Sequence, residues 1–210
     1  MIAKLKSIPR RLVIFLLNYW QRKSAQDIAR NKQHQTTLET YFDRMTELIL
    51  EKGLGTKKAK KGVQSIARTR TLIVLRNLDT ERVGEVFQFI QDADLEDAIS
   101  LAMGNLRGVN WSGANLMGAD LSGANLGEAN LGGTYLVNAN LSGTFLFRVN
   151  LMGAFLENAN LSGTYLDGAD LRETKLMGAN LLGAEYYSDE QLRAATSLKE
   201  SIGTEPATRG

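Results

Sequence analysis

Few side chains in this 210-residue chain could do covalent or metal chemistry, and none has the company it would need. His34, the one histidine, sits among Asn31, Lys32, Gln33 and Gln35. A metal or an acid–base role would require partners that no nearby residue supplies, so a solvated helix position is the reading. Ser112, Ser122, Ser142 and Ser162 fall beside glycine in turn-like contexts, with no histidine base near them in sequence. Asn and Asp are frequent from residue 105 onward, which raises calcium. Calcium wants about six to eight converging, mostly charged oxygens, and these positions are mainly Asn. The lysine-rich "TKKAKK" (56–61) follows Gly53 and Gly55 but lacks the G-x-x-x-x-G-K-[ST] spacing of a phosphate loop. Cysteine is absent, which removes disulfides and thiolate metal sites and leaves the compartment open. No catalytic residue, cofactor or metal is expected.

The elements that carry these residues divide into two kinds. Residues 1–92 hold 18 Lys/Arg against 9 Asp/Glu, and residues 93–210 hold 7 against 14, so a net charge of +2 conceals two modules of opposite sign. The opening "MIAKLKSIPRRLVIFLLNYWQRK" has an apolar run from Leu12 to Leu17, extended by Tyr19 and Trp20, with Arg10, Arg11, Arg22 and Lys23 on its flanks. A span needs roughly 20 apolar residues, so this run does not cross a bilayer alone. It lacks a small-residue cleavage site, and a cytoplasmic protein is expected. Basic flanks with Tyr and Trp suit a helix lying in a membrane interface. Packing on its own protein, or on a second copy as a homodimer through the helical module, suits it equally. Arg10, Arg11, Arg22, Lys23, Lys57, Lys58, Lys60 and Lys61 are the candidate contacts to an anionic surface.

No Gly or Pro occurs from Arg10 to Lys52, so one long helix or a helix–break–helix fits there. Leu38, Tyr41, Phe42, Met45, Leu48 and Ile49 form one apolar helical face, ended by Gly53 and Gly55. A second helix is expected near 62–77, with Val63, Ile66, Ala67, Val74, Leu75 and Leu78 apolar. A third is expected near 80–91, capped by Asp79, with Val83, Val86, Phe87 and Ile90 inward. Beyond residue 99 the pattern changes. From Leu106 to Leu181 sixteen positions recur at a spacing of five, fifteen of them Leu and one Trp111. Two residues before them stand small residues such as Ala114, Ala119, Thr134, Val109 and Val149. Leu and the small residue point to the same side of an extended segment, the residue between them points out, and the other two must turn the chain. The result is a coil that buries its core only by stacking on itself, which is a solenoid.

The unit A-[D/N]-L-x-x, unbroken over sixteen repeats, resembles the pentapeptide repeat family, and the helical segment 28–91 resembles the region before the repeats in some cyanobacterial members. The resemblance implies a right-handed, four-sided β-helix with four units per coil, here about four coils, an N-terminal helical module and a short C-terminal capping helix. The expected boundaries are 1–23 for the basic apolar segment, 24–98 for the helical module, 99–186 for the repeats, 187–202 for the cap and 203–210 for a disordered tail. In the cap, Ser188 and Gln191 have capping-box spacing, Leu192 faces in, and Leu198 and Ile202 complete the plug. Trp111 and Tyr186 are expected to close the two ends of the core. The last position of each unit suits positive φ, which favours Gly or Asn; Glu128, Arg148 and Glu173 occupy it in three units, and those three turns are expected to differ. Glu128 and Arg148 should stack one above the other.

Outward positions then separate. One opposed pair of sides reads Asn110, Asn130, Asn150, Asp170 and Asp120, Asn140, Asn160, Asn180; the other reads Asn115, Tyr135, Phe155, Lys175 and Asn125, Phe145, Tyr165, Glu185, with Phe147 beside Phe145. Tyr135, Phe145, Phe147, Phe155 and Tyr165 are either a partner-binding surface or cross-strand stacking that holds the sheet together. The functional expectation is a non-enzymatic structural or interaction protein: a rigid β-helical platform tethered through its basic helical module to an unidentified protein partner or, through residues 1–23, peripherally to a membrane. Nucleic acid is not an expected partner. The alternative taken from the resemblance is DNA mimicry against a type II topoisomerase (gyrase), from which the chain departs in its short length and mixed charge. A lectin-like binder has no positive feature.

Overall fold

In a computed structural model, residues 32–56, 59–96 and 98–195 are described. The chain forms two compact units, Met1–Ser100 and Leu101–Gly210.

The first unit is helical: α1 (Lys32–Lys52), α2 (Lys61–Asn77) and α3 (Thr80–Asp92). α1 buries Leu38, Tyr41, Phe42, Met45 and Leu48, the face its periodicity defines. Gly53 (φ 70°) and Gly55 (φ 83°) take the left-handed conformation that stops it, and an added Cβ on Gly55 would meet the Leu95 side chain. Asp79 caps α3, accepting from the Arg82 amide at 3.1 Å, and its carboxylate also takes the Arg82 guanidinium. Phe89 joins Tyr41 and Phe42 with ring centroids 6.1 and 4.9 Å away. The Tyr41 hydroxyl shares a 2.9 Å bond with Thr71, and burial pushes its pKa far above the usual phenol value. α2 keeps most of its expected face, with Ala67, Val74, Leu75 and Leu78 buried and Val63 half-buried, but Ile66 is 47% exposed, and Ile73, which is not part of that expected face, is 57% exposed.

The second unit is the coil. Parallel bridges join residues twenty apart, from Asn105 with Asn125 to Tyr165 with Glu185, so four five-residue units make one turn. Each side contributes a single bridging residue rather than a long strand, because the next two residues turn the chain. Four core columns result: Leu106–Leu126–Leu146–Leu166, Trp111–Leu131–Leu151–Leu171, Leu116–Leu136–Leu156–Leu176 and Leu121–Leu141–Leu161–Leu181, all buried. Full burial of one such leucine contributes about 1.5–3 kcal/mol. Thr134, Thr144, Thr164 and Thr174 stand where Ala stands elsewhere and are also buried. Their hydroxyls are satisfied: Thr134 Oγ1 lies 2.6 Å from the Leu131 carbonyl and 3.1 Å from that of Trp111 in the coil below.

Three expectations about the coil are corrected. Glu128 (φ 60°), Arg148 (φ 51°) and Glu173 (φ 60°) adopt the same left-handed turn as their glycine counterparts. Their amides are held by neighbouring backbone, as in Glu128 to the Phe147 carbonyl at 2.7 Å and Arg148 to Asp167 at 2.8 Å, and this register overrides residue preference. Glu128 does not pair with Arg148. It accepts from Arg107 at 2.7 Å, while the Arg148 guanidinium lies 4.7 Å from the Phe147 ring centroid. Trp111 is buried in its core column, but Tyr186 is 58% exposed and plugs nothing. The chain has left the coil by then and enters α4 (Asp189–Ala194), whose capping box is complete: Ser188 Oγ accepts the Gln191 amide at 3.2 Å, and Gln191 Oε1 accepts the Ser188 amide at 2.8 Å. Gln191 Nε2 also donates to the Ala169 and Leu166 carbonyls of the last coil at 2.8 and 3.3 Å, and Leu192 is buried. Leu198, Ile202 and the 203–210 tail lie outside the described residues.

Candidate functional site

The sides of the coil differ in what they present. The bridged columns are Asn105–Asn125–Phe145–Tyr165–Glu185 on the first side and Asn110–Asn130–Asn150–Asp170 on the second. They are Asn115–Tyr135–Phe155–Lys175 on the third and Asp120–Asn140–Asn160–Asn180 on the fourth.

The second and fourth sides are self-satisfied amide ladders. Asn130 Nδ2 donates to Asn110 Oδ1 at 3.0 Å, Asn150 to Asn130 at 2.9 Å, Asn140 to Asp120 at 3.0 Å, and Asn160 and Asn180 each to the Asn below at 3.3 Å. Each Oδ1 also accepts the backbone amide two residues on, as Asn150 does from Met152 at 3.0 Å. These oxygens are spent on the fold rather than converged on an ion. At the top, Asp170 turns instead to Arg172, whose Nη2 lies 2.6 Å away. That hydrogen bond holds the Asp170 carboxyl below the usual carboxylate range and raises Arg172. Among the described residues no group of three or more His, Asp and Glu side chains could hold a metal.

The other two sides carry stacked rings. Tyr135 and Phe155 are parallel within 7° with centroids 4.7 Å apart, and Lys175 Nζ stands 4.0 Å from the Phe155 centroid. Phe145 and Tyr165 are parallel within 6° at 4.9 Å. Tyr186, which the five-residue spacing marked for the core, instead continues that stack at 6.1 Å from Tyr165. The 20-residue spacing alone misses it, because Tyr186 lies twenty-one residues beyond Tyr165. Tyr135 and Phe145 remain 44% and 47% exposed. The five candidate aromatics therefore form two groups on opposed sides, Tyr135 with Phe155 and Phe145 with Tyr165 and the adjacent Phe147. Exposed Met117 and Met177 occupy the corners beside the first group, and exposed Leu182 a corner beside the second. No spacing rule points to those corner residues, since any side chain fits there.

The basic candidates are placed less fully. Arg10, Arg11, Arg22, Lys23, Lys57 and Lys58 lie outside the described residues; Lys60 is exposed at the entry to α2, and Lys61 is the first residue of α2. His34 is part-exposed, with Nδ1 3.7 Å from Asp79 Oδ2. Among the described residues no helix is long and apolar enough to cross a membrane.

The pentapeptide repeat family model matches in eight copies over residues 104–133, 114–153 and 154–185. HetL, a pentapeptide repeat protein involved in heterocyst differentiation regulation in Nostoc sp. strain PCC 7120, is 32% identical over 50% of this chain, with a TM-score of 0.32. This chain spans 51% of HetL's length. QnrB1, a plasmid-mediated fluoroquinolone resistance protein, is 20% identical over 48% of this chain and 50% of its own, with a TM-score of 0.41. No curated protein matches significantly. Another pentapeptide repeat protein from Nostoc PCC 7120 is 34% identical, with a TM-score of 0.40, and the match covers 50% of this chain and 81% of that one. With sixteen units in register and that coverage of a relative, the chain belongs to the pentapeptide repeat family, whose members are generally structural or interaction proteins.

Proposed function

We propose that this chain is a non-enzymatic scaffold whose β-helix binds a protein partner through its aromatic sides, and whose basic helical module tethers it to a partner or a membrane surface. One observation carries the reading. The second and fourth sides show that Asn and Asp build a satisfied side of this coil, yet the first and third sides carry Phe145 and Tyr135, which stay close to half exposed. Rings that the fold does not require, held rigid by stacking, present apolar area with little ordering cost on binding. In the helical module, Ile66 and Ile73 lie seven residues apart on α2 and offer a second apolar stripe. DNA mimicry has little support in the charges. Of the eight ladder positions on the two amide sides only Asp120 and Asp170 are carboxylates, and Arg172 neutralises one of them.

The test is co-purification of the full chain from native membranes and lysate, beside a form lacking residues 1–23 and a form with Tyr135 and Phe155 replaced by Asn. Loss of one discrete partner in the Asn form supports the aromatic surface. Retention of the same partners in every form overturns it. Flotation with anionic vesicles, unaffected by removal of residues 1–23, would reject the membrane tether.

A further inference from the structure

Where the chain leaves its third side, one column of corner residues recurs in every coil: Met117, Val137, Glu157 and Met177. Backbone bonds hold the column in register. The amide after each corner residue donates to the carbonyl of the corner residue in the next coil: Gly118 to Val137 at 3.0 Å, Asn138 to Glu157 at 3.0 Å and Asn158 to Met177 at 2.9 Å. The side chains take no part in those bonds, so the turn itself does not select them. Three of the four are apolar, and Met117 and Met177 are 44% and 46% exposed. Glu157 is the exception. Its Oε2 is buried and finds no hydrogen-bond partner among the described residues. Lys175, the cation of the same side, stands over the Phe155 ring instead, 4.0 Å from its centroid.

A carboxylate oxygen shut away from water without a donor weakens the fold that holds it. Val137 and the two methionines show that an apolar side chain fits the same place, so the charge is not a requirement of the turn. The corner keeps a charge whose complement it does not supply. We propose that Glu157 is a cation-recognition site on the third side, and that the segment docking there carries an arginine among apolar residues. This rests on the reading of the third side as a docking surface and adds the charge that its partner brings. The surroundings favour arginine over lysine. The guanidinium is the more weakly hydrated cation, and it offers a fork of donors to a carboxylate. Its apolar stem suits a corner that continues into Val137 and Met177. Tyr135 and Phe155 supply contact area beside it, while Glu157 decides which segment fits and in which register.

Two measurements on the full chain test it. The first needs no ligand. Glu157→Met, which copies Met117 and Met177, should raise the folding equilibrium constant roughly fivefold or more in urea melts, because a buried charge without a partner is removed. An unchanged or lowered constant would show that the carboxylate is already satisfied within the chain and would overturn the proposal. The second uses N-acetyl-Leu-Arg-Leu-amide as the probe, beside the same peptide with citrulline, which keeps the shape and lacks the charge. NMR follows the Met177 methyl and, in the unsubstituted chain, the Glu157 carboxyl carbon. The arginine peptide should shift both, and Glu157→Gln should weaken it about tenfold or more, as loss of a charge-assisted hydrogen bond does. Equal binding of the two peptides, equal binding to Glu157→Gln, or no shift at the Glu157 carboxyl up to the solubility limit would each overturn the site. Binding that ignores Glu157 but is lost when Tyr135 and Phe155 become Asn removes the cation site and keeps the aromatic surface. Arginine-dependent binding that needs Glu157 and survives those Asn changes keeps the cation site and removes the rings as contacts.

Discussion

Replacing both Tyr135 and Phe155 with Asn turns the third side into a copy of the second, and the structure sets how much that should cost. The stacked pair at 4.7 Å contributes about 0.5–1.5 kcal/mol beyond burial. Lys175 over Phe155 adds about 0.5–1 kcal/mol at this partly exposed site. Against that loss, the amide introduced by Tyr135→Asn can donate to Asn115, whose Oδ1 already accepts the Met117 amide at 3.2 Å. The amide introduced by Phe155→Asn can in turn donate to the new side chain one coil below it. Two such bonds return about 0.5–1.5 kcal/mol each, as the ladder through Asn110, Asn130 and Asn150 does on the second side. Loss and gain nearly cancel, so stability should change by no more than about 1 kcal/mol, or roughly half a molar in urea midpoint at an m-value near 2 kcal/mol/M. Urea titration followed by circular dichroism reads this, and co-purification of the same variant reads partner retention. A loss above about 3 kcal/mol would show that the rings hold the sheet and would refute the reasoning that separates their role from the fold. A stable variant that keeps every partner would remove the third side as a docking surface.

Three further outcomes follow from the geometry. Glu173→Gly should stabilise the coil by up to about 1 kcal/mol by relieving a side chain at φ 60°, and Gly133→Ala, where nothing lies within 4 Å of the new Cβ, should cost about the same from φ 64° alone; equal signs in urea melts would contradict this. Asp170→Asn should gain on wild type as pH falls from 7 to about 2. Arg172 depresses the Asp170 pKa, so that group's stabilisation is complete above the ordinary Asp value of about 3.9 and is lost as pH falls through the depressed value, a dependence Asn lacks. Gln191→Ala should destabilise the last coil by about 2 kcal/mol, because one side chain completes the capping box and serves two carbonyls; Gln191→Glu should not rescue it, since a carboxylate would face the Ala169 and Leu166 oxygens. Exchange rates at the Leu151 and Leu161 amides, one coil below, report the spread of that effect.

What the sequence reveals depends on how local the cause is. Leu at every fifth position, Asn between Leu and its small neighbour, and Ser188 three residues before Gln191 each specify structure within one unit or one helical turn, and each stands where the pattern puts it. Glu128, Arg148 and Glu173 do not behave as their side chains suggest, because their φ is set by bonds to backbone on adjacent turns of the coil. Tyr186 keeps the core spacing but not the core, since one residue earlier Glu185 makes the last bridge of its column and the path then turns toward α4. Ile66 has the periodicity of a buried face and remains exposed among the described residues, a decision made by how α1 and α3 pack rather than by α2 itself.

The candidate site shows the same division in finer form. A spacing of twenty places Tyr135 with Phe155 and Phe145 with Tyr165, but it does not say which part of each ring is offered. Stacking within 7° and 6° uses the facing surfaces, Lys175 takes the far face of Phe155, and Tyr186 stands beyond Tyr165. Tyr135 and Phe145 stay close to half exposed, ring edge included. Edges carry the positive end of the aromatic quadrupole, and Lys175 and Arg148 add cations beside them. A protein segment that brings apolar side chains to the edges and the exposed Met117 and Met177, and oxygen acceptors to the cations, fits what is left. Replacing Lys175 with Met should then weaken such a partner while leaving the Tyr135–Phe155 stack intact, and a partner indifferent to that charge would have to bind elsewhere.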